Sequence, residues 1–438
     1  MRLLYVLHQF FPEAYSGTEQ YVLACAREGK RRGHDVTIAS LFPDPSFPEP
    51  PVHVYREDYD GFPVVRIRHW EGLLRNETLR DFHDPHLRAS FARILGEVRP
   101  DAVHFFHLRN LGVDFLLAAD EMRLRTVVHL MDFWYLCPRF NLLRGDGTLC
   151  FGAPEGGIGC ISCVRPDLVE GETPSGPFPK SRALAAAGRF PSAEPSPADV
   201  ASALARRPAF LREALSRARA VFAPSRFLRD LFVRNGFPEG RIRLVPYGIP
   251  RERFSPPPVE RPRTPLRLLF AGVLSPWKGA LVLVEAARRV HGEFELSLYS
   301  RMEEDMFRPY ISRVRETAKG DSRIRFRGMY ERDRAASVFG EADLLVLPSL
   351  WHENTPFVAL EALACGLPVL GSDVGGIAEI VREGENGALF PRGDVEALSK
   401  RLQEFVDRPA RIAELRPRAQ GWLEEAFDRF EEAYRTGP

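Results

Sequence analysis

No apolar run in this sequence approaches the roughly 18 residues that a helix needs to cross a bilayer, so membrane-spanning classes are set aside. Net charge is almost absent too. Sixty Lys and Arg face 59 Asp and Glu, a formal +1, which argues against a strongly electrostatic nucleic-acid binder. No G-x-G-x-x-G follows the first apolar run, so a nicotinamide-binding domain lacks its main support. No repeat suggests a solenoid. The opening MRLLYVLHQFFPEAY has a short apolar run but no small-residue cleavage site. It reads as a first β-strand of a cytoplasmic protein, whose few cysteines stay reduced.

What is present is a strand–helix rhythm interrupted by proline. Leu3–Leu7 predicts a buried strand. Ser16 and Glu19 then have capping-box spacing, a helix runs to Lys30-Arg31-Arg32, and Val36–Ala39 is the next strand. That is a βαβ opening. Further strands are predicted at 64–67, 102–106, 126–130 and 221–223, with a helix over 225–235. A Pro/Ser/Gly-rich tract at about 170–200 reads as a flexible insert, and 250–265 as a Pro-rich linker. The pattern restarts with strands at 266–270, 294–298, 324–326 and 369–370. Two doubly wound α/β domains follow from this, over 1–249 and 266–420, with 421–438 as a terminal helix.

The most informative stretch is WHENTPFVALEALACG, 351–366. Asp343–Leu347 before it is an apolar run ended by Pro348 and Ser349. Thr355 is a plausible N-cap with Pro356 at the first helical position. The helix is predicted over 357–365, with Gly366 in the left-handed position beyond it. Backbone N–H groups around Asn354, Thr355, Pro356, Phe357 and Val358 then open toward an anion. Carboxylates at Glu353, before the helix, and Glu361, in its second turn, suit hydroxyl groups. Phosphate with polyol hydroxyls describes a nucleotide sugar.

Glu353-x7-Glu361, within PSLWHENTPFVALEALACGLPV, resembles the signature of glycosyltransferase family 4, retaining enzymes of the GT-B fold. The resemblance implies two Rossmann-like domains with an interdomain cleft, the second domain holding the nucleotide and the first mostly the acceptor. It implies that Lys278, in the Lys278-Gly279 pair after FAG, meets the donor diphosphate. Gly17 would supply the turn after the first strand and Gly272 the one after the first strand of the second domain, although Ser16 stands where the family has another glycine. Two further departures matter. Val273 occupies a position where the family commonly has Arg, leaving Arg243 and Arg327 as candidate phosphate cations. Met131 stands where a His is expected before Asp132, in VVHLMDFWYLCP. His129 lies two residues back, and His104 and His107 sit near another strand end.

Cys137, Cys150, Cys160 and Cys163 fall in one loop-rich segment, 137–163, and end in a C-x-x-C pair. A tetrahedral structural zinc, plain thiols and disulfides all fit such a cluster, with zinc preferred. Similar Cys-rich loops occur in a subset of the family.

The reading reached is a retaining glycosyltransferase using a UDP- or GDP-type donor and a hydroxyl acceptor: a sugar, a glycan or a lipid-linked molecule. Glu361 is assigned to the ribose and Glu353 to the donor sugar. Lys278 and the helix N-terminus would steady the leaving diphosphate without a catalytic metal. Cell-surface polysaccharide or glycolipid synthesis is the expected setting. Lys30–Arg32 and the arginines from 206 to 219 suggest a basic face for peripheral contact with the inner membrane surface. A nucleotide-sugar epimerase and a weakly active sugar-binding subunit remain as alternatives.

Overall fold

The computed structural model describes residues 1–44, 52–70, 81–189, 196–254, 262–301 and 305–435. Its contacts divide the chain into two units, Met1–Pro246 with Glu424–Pro438, and Tyr247–Leu423.

The first unit is built on an eight-stranded sheet. Its strands are β1 (Arg2–Leu7), β2 (Asp35–Asp44), β3 (His53–Tyr59), β4 (Phe62–Trp70), β5 (Ala102–Phe105), β6 (Arg125–His129), β7 (Ala220–Ala223) and β8 (Ile242–Leu244), in the order β3-β4-β2-β1-β5-β6-β7-β8. All neighbours are parallel except β3, which pairs antiparallel with β4. Leu3 to Leu7 of β1 are all buried, as a strand covered on both faces requires. Chain order runs outward from β1 on one side and resumes with β5 on the other, so the topological switch lies between these two strands.

Several local expectations change. Ser16 is the N-cap residue of the helix Gly17–Arg31 but makes no capping bond. Its hydroxyl instead donates to Glu19 Oε2 at 2.6 Å, and Gln9 Nε2 donates to Oε1 at 3.1 Å. Glu19 is fully buried, and these two donors satisfy a carboxylate that would be costly to leave unpaired. The tract read as a flexible insert contains the helix Pro179–Ala187. Ala185 packs there with Ile161, Val200 and Leu204. The next helix, Pro197–Ser216, starts on a capping box between Ser196 and Asp199. Residues 190–195 of the tract, and 255–261 of the proline-rich linker, lie outside the described residues.

Several charges of the expected basic face are engaged within the unit. Lys30 Nζ donates to Gly61 O, and Arg32 contacts Glu28, Asp428 and Glu431. Arg207 is buried, and Arg217 pairs with Asp120 and Glu213. The acidic partners Asp428 and Glu431 come from the helix Leu423–Arg435, which also brings Tyr434 Oη to 2.6 Å from His104 Nδ1. Among the described residues no helix is long and apolar enough to cross a membrane.

The second unit holds β9 (Leu266–Ala271), β10 (Phe294–Tyr299), β11 (Ile324–Gly328), β12 (Leu344–Leu347), β13 (Val369–Ser372) and β14 (Gly387–Phe390). They pair in parallel in the order β11-β10-β9-β12-β13-β14. This is the doubly wound order whose switch lies between its first and fourth strands, here β9 and β12. Leu268, Leu296, Leu344, Val346 and Leu370 form its centre.

Candidate functional site

Ligands of open α/β sheets bind outside the carboxyl ends of the strands, at the switch. In the second unit that place is occupied by the loop after β9, which carries Lys278, and the loop after β12, which carries Glu353. The two side chains meet. Lys278 Nζ donates to Glu353 Oε1 at 2.7 Å, and the same oxygen accepts from Ser349 Oγ at 2.8 Å and Trp351 Nε1 at 2.7 Å. Glu353 is 5% exposed, so three donors on one oxygen hold its charge in place at a site where an unpaired carboxylate would be costly. Lys278 Nζ also lies 5.1 Å from the centre of the Trp351 ring, a second cation contact.

Glycines make this proximity possible. Gly279 has φ +73, and a Cβ there would lie 1.8 Å from Pro348 O. Gly376 donates its N–H to Glu353 O at 2.7 Å, and its absent Cβ would fall 1.5 Å from Asn354 O. The Glu353 loop therefore rests directly on the backbone after β13.

The helix that follows is Phe357–Ala364, with Cys365 as C-cap and Gly366 at φ 70. Its N-cap is Pro356, one residue beyond the expected Thr355, and no side chain caps it. The extended conformation of Pro356, φ −70 and ψ 118, makes it the last non-helical residue. Thr355 Oγ1 is buried without a hydrogen-bond partner among the described residues. Phe357 and Val358 open the helix, where first-turn N–H groups point out of the end. Tyr247 braces this turn: its ring stacks on Phe357 at 4.6 Å, and its hydroxyl is 3.4 Å from Asn354 Nδ2.

Glu361 is half-buried on the same helix. It lies close enough to Tyr330 to act on it: burial first, and then the Glu361 charge, push the Tyr330 hydroxyl upward. Gly272, at φ +154, has nothing within 4 Å of where a Cβ would stand, and Val273 beside it is exposed. Of the candidate phosphate cations, Arg327 pairs with Glu295 and Arg243 lies in β8 of the other unit. Arg392, unnoticed in the sequence, reaches the loop instead and donates from Nη1 to Leu350 O at 2.6 Å. Ser349, Trp351, Tyr247 and Gly376 were likewise missed. Trp351 and Ser349 lay within the singled-out block, whereas nothing local marked Tyr247.

In the first unit, Gly17 is the exposed first residue of its helix. The histidines separate clearly. His104 and His129 are core residues, stacked with ring centres 5.7 Å apart. Burial, and for His104 also His129, lowers their pKa values, that of His129 to about 3. His107 follows β5 and binds Asp132 instead, Nε2 to Oδ2 at 2.8 Å.

The four cysteines line one small cavity with Leu136, Pro138 and Pro154. Among the described residues, however, no group of three or more His, Cys, Asp or Glu is arranged to hold a metal ion. No disulfide joins Cys137, Cys150, Cys160 and Cys163, the residues expected to hold a zinc. Burial, reinforced by neighbouring thiols, pushes Cys137 up to about 11 and Cys160 upward as well. Such groups keep their protons.

Residues 265–408 match the family model described as glycosyl transferases group 1, and residues 16–151 the glycosyl transferase 4-like domain. The putative colanic acid biosynthesis glycosyltransferase WcaL of Escherichia coli is 29% identical over 175 residues, 39% of this chain and 43% of that protein. The amylovoran biosynthesis glycosyltransferase AmsK of Erwinia amylovora is 29% identical over 216 residues, 47% of this chain and 51% of that protein. The chain thus spans about half or less of the length of these curated relatives. Among solved structures, Anabaena Alr3699/HepE in complex with UDP and glucose aligns over 100% of both chains at TM-score 0.66 and 16% identity. Sucrose-phosphate synthase from Thermosynechococcus elongatus aligns over 98% of both at TM-score 0.64 and 19% identity. Nothing in these matches supports an epimerase. The two domain matches, the relatives and the fold together support a glycosyltransferase of the GT-B type.

Proposed function

We propose that the chain is a retaining glycosyltransferase that moves a sugar from a nucleoside diphosphate sugar to a hydroxyl acceptor during cell-surface polysaccharide or glycolipid synthesis. The observation that carries this reading is the 2.7 Å contact between Lys278 and Glu353 at the β9/β12 switch, beside the start of the helix Phe357–Ala364. A cation and a helix N-terminus suit the diphosphate. The carboxylate held next to them suits hydroxyls of the sugar attached to it. Negative charge grows on the leaving diphosphate as the glycosidic bond breaks. Lys278 and the first-turn N–H groups of Phe357 and Val358 are fixed donors for that charge, so they favour the transition state. With that charge supplied by the protein, this reading needs no divalent metal.

UDP is the preferred nucleotide, because UDP is named with the structural neighbour HepE. Glu361 takes the ribose hydroxyls in this reading. The test is a pair of measurements. Thermal stabilisation by UDP, GDP, ADP and CDP ranks the nucleotide, since a ligand of the folded state alone raises stability by mass action. Release of that nucleotide from its sugar conjugates then reports turnover. No stabilisation by any of the four, with a folded protein, would reject the donor assignment.

A further inference from the structure

The first unit has the same switch geometry as the second, between β1 and β5, and a second polar cluster stands there. His8 follows β1 and His107 follows β5. Their rings are 4.1 Å apart, tilted by 39°. His107 has no free nitrogen: Nδ1 accepts the Arg109 N–H at 3.2 Å, so Nε2 carries the proton and donates to Asp132 at 2.8 Å. Asp132 is committed as well, since its other oxygen accepts the Trp134 N–H at 2.7 Å. Two groups are left over. His8 Nδ1 is buried without a hydrogen-bond partner among the described residues. The Arg109 guanidinium lies over the Phe140 ring, 4.5 Å from its centre, and pairs with no carboxylate among the described residues.

We infer that His8 and Arg109 form an oxyanion subsite at this switch, which recognises a phosphate or carboxylate on the acceptor. The inference rests on the transferase reading only for the word acceptor. An oxyanion would satisfy the buried imidazole nitrogen by drawing a proton onto it, and would give Arg109 the bidentate partner its planar fork fits. Without such a ligand, burial first, and then the Arg109 charge, hold the His8 pKa well below the usual histidine range. Asp132 and His107 then serve as the rigid wall that positions His8. A neutral sugar alone would leave the Arg109 charge unmatched.

Calorimetric titration tests this with probes that need no knowledge of the natural acceptor. Glucose 6-phosphate, glucuronate, inorganic phosphate and glucose are each titrated into the full chain at saturating UDP, which keeps the second unit's diphosphate site filled. We expect glucose 6-phosphate or glucuronate to bind at least about tenfold more tightly than glucose. Arg109→Gln and His8→Asn should each remove about a tenfold advantage, the scale of a charge-assisted hydrogen bond. A larger effect of one probe identifies the source as phosphate or carboxylate. Equal binding of glucose and its anionic derivatives overturns the inference, as does an anion preference that survives both substitutions. UDP affinity of the two variants is measured in parallel. Failure of UDP to bind even the wild type would reject the donor reading, while an Arg109-dependent anion preference would still stand.

Discussion

Replacing Glu353 by Gln keeps its volume and removes its charge, at the point where three donors converge on Oε1. Ser349 and Trp351 can still donate to an amide oxygen, so the main loss is the charged contact with Lys278. A hydrogen bond between charged groups contributes about 1.5–3 kcal/mol, and here the carboxylate is buried while Lys278 is 27% exposed. Solvent screening at the lysine places the expected loss near the lower end, about 1–2 kcal/mol. For a domain the size of the second unit this corresponds to a fall in Tm of roughly 2–8 °C. Function should respond differently. Lys278, released from Glu353, remains available to phosphate, so UDP affinity should be unchanged or slightly stronger. Turnover and affinity for the intact UDP-sugar should fall, because the hydroxyl contacts of the sugar are lost. Glu361→Gln provides the contrast, with UDP affinity itself falling by about 1–3 kcal/mol. Calorimetry with UDP and with UDP-sugar, scanning calorimetry, and steady-state rates on both variants make the measurement. Equal loss of UDP affinity in the two would refute the division of roles. No change in either would remove both carboxylates from the site.

Lys278→Ala should weaken UDP binding by about 1.5–3 kcal/mol, with or without EDTA; binding abolished by the chelator, in a protein that stays folded, would reject metal-free recognition. Gly376→Ala should break the N–H contact to Glu353 O or displace Asn354, lowering stability by about 1–3 kcal/mol; a variant with wild-type Tm would mean that the loop yields freely. His104 and His129 are held neutral in the fold, so the unfolded state takes up more protons than the native one below an unfolded pKa of about 6.5. Stability should fall as pH drops from there toward the folded value of about 3 for His129, by up to about 1.4 kcal/mol per pH unit for each histidine. Denaturant titrations across that window should show a shallower slope for His129→Gln, and an unchanged slope would refute the assignment. Cys137 and Cys160, pushed upward by burial, should alkylate slowly at about pH 8 in the native protein and rapidly once unfolded. About one zinc per chain, lost on Cys160→Ser with Cys163→Ser, would establish the metal reading, and its absence from protein expressed in zinc-replete medium would reject it.

The sequence made legible whatever depends on continuous local pattern. Apolar runs such as Leu266–Phe270 and Leu344–Leu347 must be buried on both faces, and that requirement locates β9 and β12 within a residue or so. It also brings Lys278 and Glu353 forward separately, each by its own motif. Their contact was not legible, because it depends on strand order: β9 and β12 become neighbours only through a crossover that no spacing records. Strands with little buried surface escaped for the opposite reason. β3 is an edge strand with exposed Arg56, Glu57 and Asp58, so its composition mimics a loop. The cap at Pro356 and the Ser16–Glu19 contact were misread because both turned on buried carboxylates or backbone torsions rather than on residue type. The histidines show the same limit at a site. His104 and His107 stand three residues apart and look alike in sequence, but β5 ends at Phe105. That ending puts the first in the core against Tyr434 and the second at the switch beside His8. The difference between a core histidine and one at the switch is therefore a matter of where a strand stops relative to its neighbour.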